Sequence, residues 1–457
     1  MTRERMRPAD AAWLRMDSPT NLMVVNSVLW FEDVIPLAEL RDVLADRLVA
    51  RFPRFRQRVT HARGTWWWED DPDFDLARHL HQVKLPAPQG RRELEALVRS
   101  YLTEPLDRAR PLWELYVVDR YRGGTALFFR MHHCIADGIA LTRVLLSLTD
   151  DGDEYVGVAP EDRSRHHGLL AGAAAMVTHE VVDIARHPGH LFDLAAEGAS
   201  DTEAMARLTA LPPDRAFLAR RTGREKEVVW SDPIPLARVK RIAHTTGTTV
   251  NDVLLAAVSG ALRAERERAD ARPRDVRVVV PFNLHPLDEP LPATLGNRFG
   301  LVYLSLPLSR STPRERLEEM SRRMGRIKSS GDAVVSFGIL DAVGRAPYAI
   351  ERLVVGVFAA KAGGVMTNVA GPRGPVTLGG HTLRGTIGWV PMSGSIGLGL
   401  SIFSYAGSVF IGLVVDPLQV ENPRRLLEET VDELGLLAAT AAEEVTGPAP
   451  RARRNRA

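Results

Sequence analysis

The stretch that decides how this chain is read is Met131–Ala140, MHHCIADGIA. Upstream of it, Trp113–Tyr121 reads as a strand, Gly123-Gly124 as a turn, and Thr125–His132 as the returning strand of a hairpin. The two histidines therefore stand where a strand ends. Adjacent side chains on a strand point to opposite faces, so His132 and His133 do not easily serve one site together, and one of them is structural. His133 and Asp137 are four apart with Gly138 following, so the chain can turn sharply and bring the carboxylate back toward the imidazole or its backbone. A neutral imidazole, with a pKa near ~6.5, can take a proton from a bound hydroxyl and return it to a leaving thiolate. His133 is the candidate general base of an acyl transfer that needs no covalent enzyme intermediate. Asp137 is its candidate positioning partner, with His132 and Gly138 as structural support.

Other chemistries fit the same residues less well. Cys134 raises a covalent route, because a thiol beside an imidazole can be an activated nucleophile, but its place next to His133 on a strand or turn points it away. A metal site fails on geometry: the adjacent histidines diverge, and no HExxH or third ligand lies at helical spacing. His79-Leu80-His81 could share a strand face, yet polar surface positions explain them better. The glycine-rich stretches Gly363-Gly364 and Gly394–Gly399 do not follow a strand and open a helix in a GxGxxG frame, so they read as turns and close strand packing.

Working outward, residues 21–150 alternate strands and helices, with MVVNSVLWFED as a strand, Pro36–Arg51 as an amphipathic helix and GTWWWEDD as a short strand. Asp151–Arg224 lacks β-branched character and carries several short helical patterns, which reads as a helical crossover. Asp232–Ala271 predicts two helices, with Thr249 and Asn251 as start signals for the second. Strands follow at Val276–Val280, Gly300–Leu306, Gly364–Val369, Leu383–Val390, Leu398–Tyr405 and Ser408–Val415, with helices over Thr312–Lys328 and Asn422–Glu444. The expected organisation is an α/β fold of two similar halves with mostly antiparallel or mixed sheets. These are residues 1–150, a crossover over 151–227, a second domain over 228–446 and a flexible basic tail over 447–457.

A chain of 457 residues exceeds what one core of ~250–300 residues usually supports, which agrees with two domains. Its formal charge of +2 is spread among mixed acids and bases, so nucleic acid is not implied. The one dense basic run, Arg451–Arg456, reads as a solvated end or as a contact for an anionic membrane. A single cysteine excludes an intrachain disulfide and fits a reducing, cytoplasmic setting. The start of the chain lacks an apolar core of signal-peptide length, and no run of ~18 apolar residues is present.

Several separated motifs agree with one family. They are Pro8-Ala9-Asp10-Ala11-Ala12-Trp13, Asp71–Leu76, Glu104-Pro105-Leu106-Asp107 leading into Pro111-Leu112-Trp113-Glu114, HHxxxDG at His132–Gly138, Thr249-Val250-Asn251-Asp252-Val253-Leu254, Gly296-Asn297, Asn368–Pro372 and Ser401–Gly407. With them the chain resembles the bacterial wax ester synthase/acyl-CoA:diacylglycerol acyltransferases over nearly its whole length. The resemblance implies a chloramphenicol-acetyltransferase-like fold, in which two α/β domains meet over an active-site tunnel. Coenzyme A would enter from one face and a lipid alcohol from the other.

By the same resemblance His133 is the base, and Asp137 mainly holds its loop. Asn251 is the ND-motif residue that would donate to the tetrahedral oxyanion, an interaction typically worth ~2.7–4 kcal/mol in the transition state. It could equally be a helix N-cap, with Asp252 favouring the positive helix end. Pro111, Leu112 and Trp113 are expected either to line the substrate channel or to be core, and Asn297 and Ser401 to contact substrate. His285 stands where an arginine able to pair with Asp137 is expected, so either His285 or an arginine from elsewhere should take that role.

The activity implied is transfer of a fatty acyl group from acyl-CoA to diacylglycerol or a long-chain alcohol, without metal or cofactor. The setting is peripheral, on the inner membrane face or a lipid droplet, through Leu169–Val182 or the basic tail. Two other readings are a condensation-type enzyme using carrier-protein thioesters and an inactive lipid-surface module.

Overall fold

The hairpin around the motif forms the middle of a six-stranded sheet in a computed structural model. The model describes residues 3–152, 222–283, 291–297, 299–328, 360–392, 394 and 396–446. Nearly all of the expected crossover, together with Leu169–Val182, His285 and the basic tail, lies outside the described residues.

Trp113–Tyr121 and Gly124–His132 pair antiparallel, and every residue of the returning strand is buried. Its run of Ala126, Leu127, Phe128, Phe129 and Met131 suits a strand covered on both faces. Arg130 is the exception, and its guanidinium is matched by Glu114 at 2.7 Å and by the Tyr101 carbonyl at 3.0 Å. A buried cation persists only with such partners. Val24–Phe31 flanks the returning strand on its other side, also antiparallel, while Leu80–Lys84 adds to Trp113–Tyr121 in parallel.

A second sheet of seven strands is built from Phe299–Leu306, Val276–Asn283, Gly364–Ala370, Leu398–Tyr405, Ser408–Val415 and Glu227–Trp230, with the short Ile234–Pro235 at its side. It is mixed, because Gly364–Ala370 runs parallel to both of its neighbours. Leu236–Thr245, Val250–Arg268, Pro313–Lys328 and Pro423–Thr446 are the helices of this half among the described residues, close to the expected spans. Val250–Arg268 buries a continuous apolar face, including Val253, Leu254, Ala257, Val258 and Ala261, in the second core.

The expected division of the chain at residue 228 is not the division between the sheets. Thr377–Leu378 and His381–Trp389 belong to the first sheet, where His381–Trp389 pairs antiparallel with Val24–Phe31. This strand crosses between the halves and ties them together. Tyr405 of the second sheet donates its hydroxyl to the Leu383 carbonyl at 2.8 Å. At Gly385 a Cβ would lie 2.2 Å from Trp30 Cζ2 and 2.9 Å from Phe410 Cζ, rings that belong to the two different sheets. Only the absence of a side chain lets these rings meet across the strand.

Gly385→Ala is therefore expected to lower unfolding stability by about 1–3 kcal/mol, the usual cost of overpacking. Urea titration measures it, and an unchanged midpoint would show that the contact is not tight.

Candidate active site

His133 leaves the strand with its amide still paired, donating to the Met23 carbonyl at 2.7 Å. The imidazole is buried, with Trp13 stacked on it at 4.1 Å between ring centroids and 22° between planes. Its Nδ1 lies 2.8 Å from Asn297 Oδ1. An amide oxygen only accepts, so Nδ1 carries the proton and Nε2 keeps the lone pair that a base needs. Burial pushes the imidazole pKa down to about 4, against the raising effect of hydrogen bonding, so the ring is uncharged at neutral pH.

The imidazole lines a cavity of about 1120 Å³, mouth included, that lies between the two sheets. Leu29, Leu145, Leu301, Val365 and Phe403 make most of the wall apolar, and Thr367, Asn368 and Ser401 supply polar groups on the side of the second sheet. This lining belongs to a pocket for a largely apolar ligand. Ser401 is thus on the wall as expected, 3.4 Å from the Thr367 hydroxyl.

The other residues of the motif hold the loop. His132 points away from the cavity: its Nδ1 accepts from the Cys134 amide at 3.1 Å, and its Nε2 meets Asp17 at 3.2 Å. Burial works to raise the Asp17 carboxyl, but His132 and Arg108 hold it below the ordinary range. Cys134 is fully buried, and burial raises its thiol well above the usual range. A thiol kept protonated in this way is not a nucleophile.

Asp137 is the N-cap of the helix Gly138–Leu146, accepting from the amides of Ile139 at 3.1 Å and Ala140 at 2.9 Å. Its carboxylate turns forward onto the helix instead of back onto the imidazole, and Arg143 on the same helix is within electrostatic reach. Gly138 begins the helix without a left-handed turn and lines the cavity, where a Cβ would sit 3.4 Å from Val390.

Asn251 is not the cap of its helix. Thr249 is, in a reciprocal box with Asp252: Thr249 N donates to Asp252 Oδ2 at 2.9 Å, and Asp252 N donates to Thr249 Oγ1 at 3.2 Å. Asn251 instead accepts from Asn368 Nδ2, and of the two it is Asn368 that lines the cavity.

Three expected substrate contacts are core. Leu112 and Trp113 are each 1% exposed, and Pro111 beside them is buried. Trp113 donates to the Phe55 carbonyl at 2.8 Å and stacks on His79, which is itself buried and not on the surface. The ring of a tryptophan entering a central strand is covered on both faces here, so it cannot reach the cavity. Asn297 also leaves the list of substrate contacts, since it stands behind the imidazole at 2% exposure.

Asp10 and Asn368 were visible in the sequence only as members of longer motifs, PADAAW and NVAGP. Nothing local marks either one, because each acquires its role from a partner more than a hundred residues away.

Comparison with known proteins agrees with this geometry. A family model described as the wax ester synthase/diacylglycerol acyltransferase catalytic domain matches residues 6–254, more than half of the chain, and a WS/DGAT C-terminal domain model matches residues 295–438. The chain belongs to the wax ester synthase/diacylglycerol acyltransferase family. It is 30% identical over 390 residues to a putative diacylglycerol O-acyltransferase of Mycobacterium tuberculosis, covering 79% of each chain. It is 24% identical over 475 residues to the O-acyltransferase WSD of Acinetobacter baylyi, covering 96% of this chain and 98% of that one. Among solved structures it is similar to a wax ester synthase/diacylglycerol acyltransferase from Marinobacter aquaeolei VT8, with a TM-score of 0.69 and 22% identity over 96% of this chain and all of that one. A condensation domain of the CDA synthetase shares the fold at a TM-score of 0.61 and 18% identity, over 97% of each chain.

Titration of the histidine 15N signals should show His133 of this family member taking up a proton with a midpoint near 4. Acidification through the ordinary ~6.5 then leaves the ring neutral, and a midpoint at that value would contradict the burial argument.

Proposed function

We propose that this protein transfers a fatty acyl group from acyl-CoA to the hydroxyl of diacylglycerol or a long-chain alcohol, giving triacylglycerol or a wax ester. The observation that carries this reading is an uncharged imidazole, held through Nδ1 by Asn297, on the wall of an apolar cavity between two sheets. The similarity to a putative diacylglycerol O-acyltransferase and to a wax ester synthase/diacylglycerol acyltransferase supports the same acceptors.

His133 Nε2 takes the proton of the acceptor hydroxyl as its oxygen attacks the thioester carbon. The carbonyl oxygen becomes an oxyanion, and the C–S bond then breaks to reform the carbonyl as the new ester. The imidazolium returns its proton to the departing CoA thiolate, so the enzyme ends as it began. Acyl-CoA is a substrate and free CoA a product, so the reaction as proposed draws on no cofactor. A deeply buried imidazole resists holding the extra proton, which favours its prompt return to the thiolate.

The oxyanion is met by the Asn251–Asn368 pair. Asn251 accepts one Nδ2 hydrogen of Asn368, which orients that amide and leaves its second hydrogen for the cavity. The lipid acceptor reaches the cavity from the surface of a membrane or a lipid droplet, because such alcohols barely dissolve in water. No helix among the described residues is long and apolar enough to cross a membrane.

Turnover of a panel of acyl-CoAs against diacylglycerol and fatty alcohols, followed by thiol release, tests the activity directly. His133→Ala should lower turnover by roughly 10²–10⁴-fold, the contribution of a positioned base. Cys134→Ala should keep most of it, and an active His133→Ala enzyme refutes the assignment. Asn368→Ala should lower kcat by about 10²–10³-fold, as loss of an oxyanion donor does, with Asn251→Ala acting in the same direction but more weakly. Equal kcat in Asn368→Ala and the parent protein would remove Asn368 from the mechanism.

A further inference from the structure

The amide of Asn297 has one accepting end and one donating end, and which end faces His133 bears on which ring nitrogen can act as a base, beside the hydrogen bond the ring makes with its own backbone. In the structure Oδ1 faces His133 Nδ1 at 2.8 Å, while Nδ2 donates to the His133 carbonyl at 2.8 Å and to Asp10 Oδ1 at 2.9 Å. The same Asp10 oxygen also accepts from the Asn297 backbone amide at 2.9 Å, so one carboxylate oxygen grips both the main chain and the side chain of Asn297. We propose that Asp10 is a positioning residue that sets the tautomer of the catalytic imidazole by fixing which way round the Asn297 amide lies.

The argument is one of donors and acceptors. Turning the amide over would set Oδ1 against two other oxygens, those of Asp10 and of the His133 carbonyl, with no proton between them. It would also aim the NH₂ group at Nδ1, which could then only accept. The ring proton would be forced onto Nε2, and the nitrogen facing the cavity would lose its lone pair. With Asp10 removed, only the His133 carbonyl still opposes that reversal.

The surrounding chain is arranged to bring Asp10 to this place. It lies in the first turn of Pro8–Met16, where a carboxylate is favoured by the positive helix end, and three residues later Trp13 stacks on the imidazole from the same helix face. At Gly296, with φ at +131°, a Cβ would sit 2.9 Å from Arg7 Nη1 and 3.3 Å from Asp10 Oδ2. Glycine there is what allows the Asn297 segment to close on Asp10. Burial pushes the Asp10 carboxyl up to about 6, while the Asn297 hydrogen bonds and the charges of Arg7 and Arg54 work to lower it. At neutral pH it is therefore predominantly the acceptor that the arrangement requires.

Asp10 does not line the cavity, so its loss should act on kcat and not on KM. The proposal rests on the acyl-transfer reading only for its kinetic arm. Its decisive arm is the 15N spectrum of the histidine-labelled full-length protein without substrate, with the His133 signals assigned by their loss in His133→Gln. The parent protein should show a protonated Nδ1 and a bare Nε2. In Asp10→Ala the His133 signals should move to the reverse tautomer or to a mixture, with kcat lower by roughly 100-fold and KM for acyl-CoA unchanged. Asp10→Asn, which keeps an oxygen at the gripping position, should restore the parent tautomer and at least about tenfold of the lost rate.

Thermal melts establish that each variant is folded. Should Asp10→Ala not fold, Asp10→Ser, whose side chain is too short to reach Asn297, carries the same expectation. A parent tautomer with the proton on Nε2 overturns the proposal. So does a folded Asp10→Ala or Asp10→Ser that keeps the parent tautomer, whatever its rate. If no acyl-CoA and alcohol pair turns over in the parent protein, the acyl-transfer reading falls, and the spectroscopic result still decides the role of Asp10.

Discussion

The hydrogen bond from His133 Nδ1 to Asn297 Oδ1 is the contact on which the rest of the site depends. His133 stands at the end of a strand of the first sheet, and Asn297 lies just before the Phe299–Leu306 strand of the second. The bond spans 164 residues of sequence, and the residues flanking its two ends, Met131 and Cys134 on one side and Leu295 and Phe299 on the other, share one hydrophobic core. The contact exists only when the two halves are docked. The ring presents its correct nitrogen only when the Asn297 amide has a definite orientation.

Burial shapes the chemistry in two opposed ways. It drives the imidazole toward its neutral form, which a general base must have, and it drives the Asp10 carboxyl toward its own neutral form, which would weaken the grip on Asn297. Hydrogen bonds from Asn297 and the charges of Arg7 and Arg54 offset that second effect at the carboxylate. At Cys134 the charges of Arg108 and Arg54 work to lower the thiol but are outweighed by burial and the charges of Asp10 and Asp17, which raise it. Three neighbouring groups in one buried region thus end in three different states, each set by what surrounds it: a neutral base, a gripping carboxylate and an inert thiol.

The crossing strand His381–Trp389 explains how such a site tolerates a cavity at the seam between two sheets. An apolar cavity removes packing that would otherwise hold the halves together. The strand compensates by pairing with Val24–Phe31 in the first sheet and by packing through Gly385 and Tyr405 onto the second. It also contributes Thr386, Gly388 and Trp389 to the cavity wall. The element that joins the halves therefore also shapes the space between them.

Local pattern was enough for the secondary elements. Strand and helix periodicity placed the hairpin and the long helices, because alternation and amphipathic spacing are properties of a few consecutive residues. The opposite facing of His132 and His133 followed from strand geometry alone. Pairing between distant segments was not legible. Sequence could not show that Thr377–Leu378 and His381–Trp389 return to the first sheet, that Trp113 is enclosed by Phe55 and His79, or that Asp137 caps a helix while Asn297 holds the imidazole. A capping aspartate and a positioning aspartate look alike in a linear string. What separates Asp137 from Asp10 is the direction each carboxylate faces and the donor it meets, and only the docking of two sheets supplies that donor.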